Sequence, residues 1–158
     1  MSAASASLQV EKSKAYHAIL WGGLIAGVLD LTAAFVTNGL RGITPFRIMQ
    51  SIATGLLGAE SYKGGFKTAV LGVALHFLIA TGATAVFYLL SRKLKFMVQQ
   101  AIIAGLLYGV AVYLFMNQVV LPLSAFPHKI SFQLVNGLLV HMFCVGLPIA
   151  LVIRRYSK

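Results

Sequence analysis

The chain has 158 residues, of which 59% are hydrophobic and 10% charged, with a mean hydropathy of +0.87. A soluble domain is about 45–50% apolar and about 25% charged, so this balance excludes an ordinary water-soluble domain and a disordered chain. The single cysteine, Cys144, excludes a disulfide-stapled module. A net charge of +10 would suit nucleic acid in a soluble protein. Here Lys and Arg sit between or outside the apolar runs, with no basic stripe interleaved by aromatics, so the expected partners are membrane lipids and not nucleic acid.

In chain order, residues 1–15 are Ser/Ala-rich, polar and without periodicity, and read as a disordered cytoplasmic tail. The remainder, 16–158, reads as a single transmembrane domain. Its first apolar run, about 18–37, follows Lys12 and Lys14 as a signal peptide would. It is long enough to span, however, and Asp30 interrupts it, so an uncleaved first helix is expected. A segment with its own structure comes next. Thr44 can cap a helix that has Pro45 at its first position, and Gly58 can close it, which predicts a helix over 45–57. Arg47, Gln50, Ser51 and Thr54 share one arc of about 100° on that helix. At about 20 Å it is too short to cross a bilayer, and belongs at the periplasmic interface or folds in as a re-entrant piece. Three further runs, about 66–90, 98–121 and 131–153, are long enough to span.

Lys and Arg orient these spans. The tail (Lys12, Lys14), the middle loop (Arg92, Lys93, Lys95) and the C-terminus (Arg154, Arg155, Lys158) carry eight of the 13. Arg41, Arg47, Lys63, Lys67 and Lys129 are spread over longer connections. The positive-inside rule then places both termini in the cytoplasm.

The spans appear in duplicate. Gly23-Leu24-Ile25-Ala26-Gly27-Val28 in span one matches Gly105-Leu106-Leu107-Tyr108-Gly109-Val110 in span three. The Gly72/His76 spacing of span two recurs as Gly137/His141 in span four. This pattern predicts two parallel two-helix repeats, with the interfacial helix inserted in the first. Gly23/Gly27 and Gly105/Gly109 have the small-xxx-small spacing that lets helix backbones approach, inside one chain or across a dimer. Spans one and three are expected to cross at the pseudo-axis.

Gly27-Val28-Leu29-Asp30, Gly55-Leu56-Leu57-Gly58, Leu75-His76-Phe77 and Tyr108-Gly109-Val110 resemble a family of small four-span bacterial inner-membrane proteins, uncharacterised in function. The resemblance covers most of the chain beyond the tail. It implies an inner-membrane location and no activity.

Ionisable residues inside spans are the informative ones, because a charge at the bilayer centre costs at least about 2.5–3.5 kcal/mol. Asp30, His76 and His141 are such residues. His17 and His128 lie at span edges. Two histidines at matched positions could be the axial ligands of a b-type haem, each with a glycine one turn earlier making room for a flat ring. The plain alternative is that each imidazole hydrogen-bonds a neighbouring helix. Cys144, one turn after His141, could join both histidines in a soft metal site. Asp30 could centre a proton or ion path, with Asn117 and Gln118 at its mouth. Pro148 frees a carbonyl near residue 144 and should distort span four there.

No paired carboxylates, nucleophile elbow, phosphate loop or zinc spacing occurs in the sequence. The expectation is therefore an all-α, polytopic, non-enzymatic membrane protein. It would act as an accessory or structural subunit of a complex or a homo-oligomer, with a haem-binding electron-transfer subunit and a small transporter or proton conduit as alternatives.

Overall fold

The computed structural model describes residues 3–126 and 134–157. His128, Lys129 and the start of the fourth run at 131–133 lie outside the described residues. The protein is all-α, with no strand among the described residues. Four helical stretches are long and apolar enough to cross a membrane: Glu11–Gly39, Gly65–Lys93, Ala101–Leu123 and Leu134–Tyr156. Their bounds fall close to the four apolar runs, because unbroken hydropathy over more than about 18 residues is a strong local signal.

Helix α1 covers Ala3–Gly39, 37 residues. The helix therefore runs through residues expected to form a disordered tail. No glycine or proline occurs before Gly22, and a span that is already helical removes the cost of nucleation for the Ala-rich residues ahead of it. At about 1.5 Å per residue α1 is about 55 Å long, well beyond the bilayer's roughly 30 Å hydrocarbon core. An exposed ion pair from Glu11 to Arg92 ties its protruding part to the second span.

Helix α2, Pro45–Leu57, begins and ends as its sequence dictates. The Thr44 hydroxyl accepts from the Arg47 backbone N–H at 3.3 Å, Pro45 occupies the first turn, and Gly58 closes the helix at φ 59°. A 3₁₀ turn, Gly58–Lys63, leads to α3, Gly65–Lys93. Helix α2 buries polar side chains together with Ile48 and Ala53. Gln50 and Thr54 are buried, whereas Phe46, Leu56 and Leu57 are exposed. The Gln50 amide lies 3.3 Å from Ser61 O, Gly65 O and Thr68 Oγ1, and the Ser61 hydroxyl donates to Gln50 O at 2.6 Å. This buried polar clip fastens α2 to α3 while Phe46, Leu56 and Leu57 stay exposed, the arrangement favoured beside hydrocarbon.

A short helix α4, Phe96–Gln99, precedes α5, Ala101–Phe115. The third span continues through a π turn, Met116–Val120, into α6, Leu121–Leu123. The fourth span is built in the same way: α7, Leu134–Val140, a π turn, His141–Gly146, and α8, Leu147–Tyr156. In each π turn a backbone N–H reaches back five residues, from Leu121 to Met116 O and from Leu147 to Met142 O. Each turn ends two residues before a proline, Pro122 or Pro148. The widened turn makes room for a ring that cannot donate and would otherwise press on the carbonyl four residues earlier. The disturbance expected near residue 144 is this π turn.

Helix α1 packs along α3 and along the fourth span, and α5 packs on the fourth span. The expected crossing of spans one and three is thus replaced by contact between spans one and four. On α1, the face of Gly22, Gly23, Ala26, Gly27 and Asp30 meets the α3 face of His76, Phe77, Ala80, Thr81 and Thr84. A Cβ at Gly23 would come within 2.7 Å of Thr81 Cα, and one at Gly27 within 2.7 Å of the Phe77 ring. Gly105 faces Gly146, Leu147 and Ala150, and Gly109 lies against the His141 and Met142 backbone. Gly72 faces the Met49 carbonyl of α2, and Gly137 the Tyr113 ring.

The two ends of the bundle differ. Phe87, Met97, Ile149 and Ile153, with Ala18, Ala101, Ala104 and Ala150, form a closed core at the end bearing both termini. The Tyr108 ring packs edge-on to Phe87 at 5.0 Å, and its hydroxyl donates to Ala83 O at 2.7 Å, bridging α3 and α5.

Candidate functional site

The bundle holds a cavity of about 260 Å³. Asp30 from α1, His76 from α3 and His141 from the fourth span line it together. Ser51, Ile52 and Gly55 of α2 form one wall, and Leu121, Ser124 and Phe126 another. Three widely spaced sequence candidates therefore converge on one space. Most of the remaining lining is aliphatic, including Ile79, Val112, Met116 and Val145.

Asp30 is unusual in its surroundings. Its side chain is 23% exposed and that of His76 14%, with His76 Nε2 4.0 Å from Asp30 Oδ2. Among the described residues no group donates a hydrogen bond to the Asp30 carboxylate. His76 Nε2–H donates instead to Gly27 O of α1 at 2.9 Å, one turn before Asp30. His141 turns back on its own helix, its Nδ1–H donating to Gly137 O at 2.8 Å, and its ring stands edge-on to Tyr113 at 5.3 Å. The two Gly/His pairs thus share a spacing but not a geometry. One imidazole links two helices and the other bonds within its own.

Haem fits this arrangement poorly. His76 Nε2 is engaged by the Gly27 carbonyl and His141 Nδ1 by the Gly137 carbonyl, so both imidazoles are already held by the backbone. Nor do His76, His141 and Cys144 assemble: among the described residues no three His, Cys, Asp or Glu side chains form a metal-binding group. Asn117 and Gln118 are not among the residues lining the cavity. The Asn117 amide donates to Tyr113 O at 2.8 Å and Gln118 is exposed. The π turn over these residues directs Met116 and Val120 to the cavity instead.

Ser51 and Ser124 belong to the site but were not singled out in the sequence as its lining. Ser51 reads there only as part of the polar arc of α2, and nothing local marks Ser124. The recurring Leu-Pro pairs at 121–122 and 147–148 were the available signal, since a π turn before each carries lining residues into the cavity. No protein-family model, curated protein or solved structure matches this chain.

Proposed function

We infer that this chain is a non-enzymatic inner-membrane protein that holds a small solute or proton in its cavity and passes it on, a small transporter or conduit centred on Asp30. One observation carries this reading: a carboxylate that accepts no hydrogen bond among the described residues opens, with two imidazoles from other helices, into a shared cavity. An ionisable group at membrane depth is costly unless it serves a polar path or a ligand. The closed core at the terminal end and the cavity toward α2 support a site reached from one side in this conformation. The Lys/Arg distribution supports cytoplasmic termini and hence a cavity on the periplasmic side.

The test is flux. Purified protein in liposomes containing a pH-sensitive dye should dissipate an imposed proton gradient or exchange solute, and Asp30→Asn should lower that rate at least ten-fold. Equal rates in the two proteins would refute the reading. An accessory role in a complex or a homo-oligomer comes second, because the Gly23/Gly27 and Gly105/Gly109 faces that could receive a partner helix are filled from within the chain. Gentle extraction and native electrophoresis would reveal such a partner.

A further inference from the structure

The two histidines and two serines lining the cavity share one property: each has directed a proton at a backbone carbonyl. Besides the two histidine contacts, the Ser51 hydroxyl donates to Ile48 O at 2.7 Å and the Ser124 hydroxyl to Leu121 O at 2.8 Å. A carbonyl oxygen only accepts, so these contacts settle which ring nitrogen carries hydrogen. In the neutral imidazoles, Nδ1 of His76 and Nε2 of His141 are then lone-pair acceptors. Ionised Asp30 is an acceptor as well, and Ser124 Oγ already receives the Phe126 N–H at 3.2 Å. Among the described residues no Lys, Arg, Asn, Gln, Tyr or Trp lines the cavity. Among the described residues its polar surface therefore offers acceptors, with a negative charge when Asp30 is a carboxylate, and no free donor.

Such a surface repels anions and gives a carbonyl compound nothing to accept from. It matches a ligand that brings N–H donors and a positive charge. The remaining wall, with Ile52, Ile79, Val112, Met116 and Phe126, suits a short hydrocarbon body. A cavity of about 150 Å³ holds benzene, so the space here takes a molecule of roughly ten heavy atoms. We propose that the cavity binds a small organic ammonium ion, a primary amine with a compact apolar body, its charged end at Asp30. This rests on the solute-binding reading above and names the chemical class of the solute.

The test is a matched ligand series measured by calorimetry on the full chain in nanodiscs. Benzylammonium, benzyl alcohol and benzoate share a ring and differ in charge and donors. Benzylammonium should bind at least ten-fold more tightly than the alcohol, and benzoate should not bind. Asp30→Asn should remove that preference and Asp30→Glu should restore it. The ligand series on the unmodified protein stands even if a variant fails to fold. Equal binding of the ammonium and the alcohol, or tighter binding of benzoate, would overturn the proposal. The liposome assay separates the two ideas. Asp30-dependent proton flux without ammonium preference defeats the substrate class alone, whereas selective ammonium binding without any flux defeats transport alone.

Discussion

Replacing Gly72 by alanine tests how α2 is held over the cavity. A Cβ at Gly72 would run into the carbonyl oxygen of Met49 and approach the Ala53 nitrogen at 3.3 Å. Both are backbone atoms of α2, so no rotamer change relieves the clash and the helix itself must shift. Gly82, on the same helix, provides the control, since a Cβ there meets nothing within 4 Å. Both substitutions gain the same intrinsic preference of alanine over glycine, about 1 kcal/mol in a helix interior, so their difference isolates the contact. Overpacking of this kind costs about 1–3 kcal/mol, which corresponds to about 2–12 °C in Tm for a chain of this size. Gly82→Ala should match or exceed the parent in thermal unfolding in one mild detergent, and Gly72→Ala should fall below Gly82→Ala by that margin. Because α2 carries Ser51, Ile52 and Gly55 of the cavity wall, Gly72→Ala should also weaken ligand binding while Gly82→Ala leaves it unchanged. Indistinguishable melting of the two variants would refute the close-packing argument and, with it, the role of α2 as a wall fixed by α3.

Two other substitutions probe the energetics around the site. Gln50→Ala removes the buried amide that bridges Ser61, Gly65 and Thr68, and should destabilise by about 1–3 kcal/mol; hydrogen exchange at 45–63 would show α2 opening more readily. Arg92→Ala breaks the ion pair with Glu11, whose partners are both more than half exposed. Thermal unfolding should change by less than about 1 kcal/mol, and a larger loss would mean that the protruding part of α1 contributes to the fold.

The four spans and the limits of α2 were legible because each depends on neighbours along the chain. Unbroken hydropathy marks the spans, and Thr44, Pro45 and Gly58 each meet the local backbone demands of one helix end. The cost of burying charge singled out Asp30, His76 and His141, and all three line the cavity. That cost is a property of the residue in hydrocarbon and needs no knowledge of its neighbours. The glycine spacings likewise pointed to close helix contact, without saying which helix would fill each face.

Tertiary structure alone decided the partners and the directions. Matched Gly/His pairs suggested equivalent roles, yet His76 crosses to Gly27 and His141 folds back to Gly137. The sequence put four polar residues on one arc of α2 without a partner for them, and Gln50 is buried because the 3₁₀ turn and α3 offer Ser61 and Thr68 as partners that hydrocarbon would not. The tail became helix through continuity with a span that was already helical. Asn117 turned away within a π turn whose cause, Pro122, lies five residues downstream. Local sequence determines where helices begin, end and hide from water. Which side chains share a cavity, and whether they offer protons or lone pairs there, follows from how four helices pack, a sum of many weak contacts that no short stretch of the chain contains.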